Sequence, residues 1–289
     1  MTKKEEINGE NILYHILQKR IIPSSLSDSS EPSDGVKFLI EQLLLGGAIW
    51  FKPDTYKEIP VLLPYVVRDA NCRKKNPITG KDSRGVANNK GLMPDDNSSI
   101  KAIPKSLMIE SKLPEFNGKM GNGFVASHIW RALQNQSLLA SQWERTNSFI
   151  PNLVWLPKQL AKLTDREGSY AQHFVQHVSG LMYRGITIPN STLNDIWNEL
   201  KDPGIKPISD IKMDDLNYFE HNIKWIASRK SRLYNELQSI LKILNGQDPV
   251  INKINTSNYI PSLGEISSEM DSQVKKEFQD WIRANMPNI

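Results

Sequence analysis

The chain is short of cysteine, of long apolar runs and of net charge, and each shortage closes a class. Cys72 is its single cysteine, so neither a disulfide within the chain nor a multi-cysteine zinc site can form. A reducing, cytoplasmic setting is the expectation. The most apolar stretch, FLIEQLLLGGAIWF from Phe38 to Phe51, carries Glu41-Gln42 inside it. It is too short and too polar to span a bilayer, and no membrane partner is expected. The opening MTKKEEINGENILYHILQ lacks the apolar core and small-residue cleavage site of a secretory signal. Lys plus Arg number 36 against 32 Asp plus Glu, a net charge of +4. That mildly basic balance admits nucleic acid without demanding it. Three signatures are also missing: Gly-x-x-x-x-Gly-Lys-Ser/Thr, Gly-x-Gly-x-x-Gly and Gly-x-Ser-x-Gly. Their absence argues against an NTP-driven machine, a nicotinamide enzyme and an α/β-hydrolase.

What is present suits a globular chain with a real core, 39% hydrophobic over 289 residues. No internal repeat stands out. Residues 9–20 read as a short helix, with Ile12, Leu13, Ile16 and Leu17 on one face. A polar loop over 23–34 precedes a helix over 34–45 that stops at Gly46-Gly47. IPVLLPYVV (59–67) reads as a buried strand interrupted by Pro64, and SLMIE (106–110) as a short strand. Residues 123–157 read as strand, long loop and strand or turn. Residues 158–184 read as helical around a break at Gly168. KDPGIKPISD (201–210) is the linker candidate. From 213 to 245, Leu216, Phe219, Ile223, Ile226, Leu233, Leu237, Ile240 and Leu244 recur mostly at spacings of three and four. This predicts a long amphipathic helix with Gly246 as its C-cap. A last helix is predicted over 265–284. The expected class is α+β in three stretches: an α/β region with a basic loop over 1–120, a core over 121–200 and a helical region over 201–289.

The window GFVASHIWRALQNQSLLASQWERTNSFIPNLVWLP (123–157) raises the functional question. His128 follows the strand-like GFVAS, and Asn152 opens NLVWLP. Either residue can serve packing alone. Together they resemble the His-Ile-x…Asn-Leu-x-x-Leu pattern of HNH, or ββα-metal, nucleases. The resemblance covers roughly residues 121–184. Ser127 stands where many members carry an Asp or His metal ligand, and Trp130 where smaller residues are common. It implies a ββα-metal core in which His128 deprotonates water and Asn152 orients it or binds the metal. It also implies a divalent metal, with Mg²⁺ expected. His173 and His177, spaced i and i+4 so as to share one helix face, are the further metal candidates, as in HNH enzymes of the colicin type.

A rival pattern lies upstream. Pro94-Asp95, then Glu110-Ser111-Lys112 after an apolar run, matches the permissive PD-(D/E)XK pattern of many restriction endonucleases. There Asp95 and Glu110 would hold Mg²⁺ and Lys112 would polarise water. Between Arg68 and Lys90 seven basic residues meet two acidic ones. Arg68, Arg73, Lys74, Lys75, Lys81 and Arg84 are the candidate DNA contacts. Lys224, Arg229, Lys230 and Arg232 form a second, weaker patch. The expectation is a metal-dependent endonuclease acting on double-stranded DNA, of a type II restriction or other defence kind, possible as a homodimer. The alternatives are the PD-(D/E)XK site and a non-catalytic DNA-binding protein.

Overall fold

The structure, a computed structural model, describes residues 33–287 except 83–85, 87–91, 95, 113–116, 136, 138, 189–190 and 257–270. The helix expected over 9–20 lies outside the described residues. Helix α1, Asp34–Gly47, starts where Ser33 accepts a hydrogen bond from the Val36 N–H. Val36, Ile40 and Leu44, one turn apart, are its buried stripe. It ends against later chain: a Cβ on Gly47 would come 2.5 Å from Leu160 Cδ1. Strand β1, Ile49–Phe51, is buried at all three positions. Helix α2, Pro53–Glu58, follows. Strand β2 is Leu92–Pro94 and the short helix α3 is Ser98–Ala102. Strands β3, Met108–Glu110, and β4, Gly118–Lys119, form a hairpin.

Strand β5, Phe124–His128, pairs antiparallel with β6, Leu153–Pro157, over five residue pairs, with His128 opposite Leu153. Helix α4, Lys158–Thr164, follows β6 directly. Gly168, at φ +75°, turns the chain in a left-handed conformation that costs glycine little, and helix α5, Tyr170–Tyr183, begins. Two single-turn helices, α6 Ser191–Asn194 and α7 Ile196–Glu199, precede β7, Asn217–Phe219. Helix α8, Ile223–Leu244, is capped by Asn222, which accepts from the Trp225 N–H at 3.0 Å. Strand β8, Ile254–Thr256, and helix α9, Ser272–Ala284, complete the described chain.

The main sheet has six strands in the order β4-β3-β7-β1-β6-β5. Its pairs are antiparallel except β1 with β7. A separate parallel pair joins β2 and β8. The architecture is α+β. The main sheet takes strands from all three expected stretches, and one apolar core runs through them. At its centre Phe51, Trp155 and Phe219, from three neighbouring strands, meet edge-on or tilted with ring centres 5.2–5.3 Å apart.

Three local expectations change. Residues 61–67 are buried but form no strand; Val61 alone bridges, to Phe149. Pro60 and Pro64 withhold the N–H groups a ladder needs, and the segment instead pairs with a buried loop. Leu62 N–H donates to the Ser148 carbonyl at 2.9 Å, and Leu63 N–H to Ser148 Oγ at 2.8 Å. Leu216 and Phe219 belong to the β7 region, not to the long helix, and Ile223 at the helix start is exposed. The linker candidate 201–210 is pinned. The buried Glu41 carboxylate accepts from Ile208 N–H at 2.8 Å, from Ser209 N–H at 2.6 Å and from the Tyr170 hydroxyl. Among the described residues no helix is long and apolar enough to cross a membrane.

Candidate active site around His128

The β5–β6 hairpin presents His128 at the last position of β5, and helix α5 grips the two ends of the loop between the strands. Gln172 and Gln176, one turn apart on α5, both donate from Nε2 to the Ile129 carbonyl, at 3.1 and 2.8 Å. Ser179, one turn further, donates to the Pro151 carbonyl at 2.6 Å. The imidazole is therefore carried on a rigid strand end rather than on a free loop.

Its two ring nitrogens have different partners. Nε2 faces two oxygens, the Asn147 carbonyl at 2.7 Å and Asn147 Oδ1 at 3.0 Å. Both can only accept, so the ring proton sits on Nε2. Nδ1 then keeps its lone pair, and it faces Asn97 Nδ2 at 3.3 Å. Turning the Asn97 amide over would set two lone pairs against each other. Asn147 is itself fixed, donating from Nδ2 to the Val66 carbonyl at 2.7 Å. Part of His128 reaches the surface, yet the ring is packed closely enough for burial to push its pKa down to about 4. The bonds to Asn147 raise it, less strongly, and the charges of Arg68 and Arg131 lower it. At neutral pH the ring is an uncharged proton acceptor.

Asn97 is the residue that sequence reasoning missed. It holds φ +61° as the N-cap of α3, the one positive-φ residue other than glycine among those described. Its Oδ1 is buried with no hydrogen-bond partner. Asparagine adopts this left-handed conformation more readily than most residues, and the unpaired amide oxygen beside the desolvated histidine makes Asn97 a candidate site residue. Beside it, buried Asp96 binds Arg68 Nε at 2.8 Å and also Arg73. The sequence signal available was Asp-Asp-Asn before a helix start, which is too common to single out.

Asn152 is completely buried, and both ends of its amide are engaged. Oδ1 accepts from the Trp130 N–H at 2.8 Å, and Nδ2 donates to the Thr146 carbonyl at 3.0 Å. Its own carbonyl accepts from the Ile129 N–H at 3.1 Å. It holds the chain that leaves His128. His173 and His177 sit half-buried on α5. Among the described residues no three His, Cys, Asp or Glu side chains are grouped to hold a metal ion, so His128, His173 and His177 do not form the common site expected of them. Asp96, the nearby carboxylate, is taken by two arginines.

Comparison of the chain with protein-family models, curated proteins and solved structures returns no match.

Of the rival residues, Glu110 and Lys112 are described and each has an ion-pair partner. Pro94 ends β2 in the two-stranded sheet, while Glu110 ends β3 in the other; Asp95 lies outside the described residues. Glu110 pairs with Lys52, and Lys112 with Asp215. That pairing raises the Lys112 pKa and lowers that of Asp215. In the basic loop Lys74, Lys75 and Lys81 are exposed, and Arg84 lies outside the described residues. Arg68 and Arg73 both pair with the buried Asp96 while their side chains stay partly exposed. On α8, Arg229 is buried, which removes it from the proposed surface patch.

Proposed function

We propose that this chain is a DNA endonuclease in which His128 is the general base, on a hairpin followed by a helix as in a ββα-metal core. The observation that carries the reading is the fixed tautomer of His128. Its Nε2–H is held by Asn147, and its Nδ1 lone pair is turned to a long, weak contact at 3.3 Å. Neutral at every physiological pH, Nδ1 takes a proton from water as the water oxygen bonds to phosphorus and the bond from phosphorus to the leaving oxygen breaks. A base held by hydrogen-bond partners in this way contributes about 10²–10⁴-fold to the rate. Asn97 Nδ2, which faces that lone pair, would donate to the water held between them. Arg68 and Arg131, whose charges reach the ring, favour the approach of a phosphate. Asn152 is a positioning residue that fixes the exit of the strand. A divalent ion, as the resemblance implies, would polarise the attacked phosphate and stabilise the departing oxygen; among the described residues no three His, Cys, Asp or Glu side chains are grouped to hold it.

A DNA-binding protein that does not cut is the second reading. What favours it is that no carboxylate beside His128 is free among the described residues. Incubation with long genomic DNA, in Mg²⁺ and in EDTA, separates the two. Fragments in Mg²⁺ support the nuclease, and intact DNA bound at low salt in both supports the second reading. Glu110→Gln is expected to cut as the unchanged chain does. Loss of cutting with fold and DNA affinity intact would move the site to the rival motif.

A further inference from the structure

A second candidate site is lined by residues of α8 and of the segment from α3 onward. A cavity of about 420 Å³ opens between α8 and the segment 99–106, large enough for a small ligand. Arg229, only 7% exposed, lines it. One Nη group of Arg229 donates to the Leu62 carbonyl, and the same group lies 3.5 Å from Glu236. Its Nε is buried with no partner among the described residues. An unused guanidinium donor in a cavity wall is costly unless something accepts from it. Arg232, one turn along, lines the same space and contacts Glu236 through Nε at 2.8 Å. Two cations against one carboxylate leave an excess positive charge. Ser99, Ser106 and Ser228 add hydroxyl groups. Trp225, stacked on Phe51 at 6.0 Å, supplies an aromatic wall. A neighbouring hollow of about 410 Å³ shares Ser228, Arg232 and Glu236 and brings in Lys253.

We propose that this cavity binds a nucleoside phosphate, free or within a single strand, with the phosphate on Arg229 and Arg232 and the base against Trp225. Arginine forks match phosphate oxygens, and a base finds a π-face in tryptophan. Glu236 stays on the arginines and aligns them. The site stands apart from the nuclease reading in its residues: His128 hydrogen-bonds to Asn97 and Asn147, and neither lines this cavity.

The test is calorimetry on the full chain in EDTA with three probes: inorganic phosphate, a nucleoside 5′-monophosphate and a short 5′-phosphorylated single strand. The monophosphate is expected to bind more tightly than inorganic phosphate, through Trp225. Ser228→Glu sets a like charge at an exposed helix position on the cavity wall and should weaken binding by about ten-fold or more. Arg232→Gln, also at an exposed position, should do the same, both with unchanged thermal unfolding. Tighter binding of the strand than of the monophosphate makes nucleic acid the source, and the reverse makes it a free nucleotide. His128→Gln should bind all three as the unchanged chain does, whatever becomes of cleavage. No saturation by any probe up to about 1 mM, or equal binding by both variants, overturns the proposal.

Discussion

At the scale of single residues, His128 is costly because of the charge it does not carry. Its pKa in the folded chain is about 4, against about 6.5 when unfolded. Between those values the unfolded chain binds more protons, so the neutral ring's contribution is complete above about pH 6.5. It is lost as pH falls through 4, and at about 1.4 kcal/mol per pKa unit it amounts to about 3.5 kcal/mol. Urea unfolding of the unchanged chain and of His128→Gln at pH 7.5 and 5 should show the unchanged chain losing more stability on acidification. Equal losses would mean that the ring is solvated. Asn152→Ala leaves the Trp130 N–H and the Thr146 carbonyl buried and unpaired, and should cost about 3 kcal/mol. A residue that served only as a metal ligand would leave thermal unfolding nearly unchanged. His128 and Asn152 were legible in the sequence because a His and an Asn sat at the edges of two apolar runs. Asn97 and Asn147 were not, because their importance lies in a φ angle and in contacts from distant loops, neither of which leaves a pattern in composition.

At the scale of elements, the strand and helix periods were readable where one face meets water and the other the core. Helix α1, with Val36, Ile40 and Leu44 buried one turn apart, follows that rule. The 59–67 run misleads because an apolar stretch says that a segment is buried but not what satisfies its backbone; two prolines and the Ser148 loop decide that. Leu216 and Phe219 mislead because a spacing of three fits a helix and a strand flank equally well. The basic loop is an element in which neighbours differ. All three of Arg73, Lys74 and Lys75 are exposed, but Arg73 is also paired with Asp96. If both lysines meet phosphate, replacing them with Ala should flatten the slope of log K against log salt by about 1.8, and adding Arg73→Ala should change it little further. A drop of about 2.7 for the triple variant would show that Arg73 also reaches DNA.

At the scale of the whole molecule, the sheet is assembled from distant parts of the chain. β7, from the C-terminal third, lies between β1 and β3 from the N-terminal part, and α9 reaches back to place Trp281 Nε1–H 2.7 Å from the Pro64 carbonyl. The sequence's three composition zones therefore do not mark three separable bodies: parallel pairing across about 170 residues leaves no local signal. Residues 1–200 alone should lack cooperative unfolding, since their sheet loses its middle strand; a sharp transition in that fragment would show an autonomous unit. The most direct test of the central claim, that His128 is the base of a DNA endonuclease, is cleavage of long genomic DNA by the unchanged chain and by His128→Gln, with DNA affinity and thermal unfolding measured on both. The account predicts a cleavage rate lower by about 10²–10⁴-fold in the variant, with folding and DNA affinity retained. Equal rates in the two proteins would contradict it.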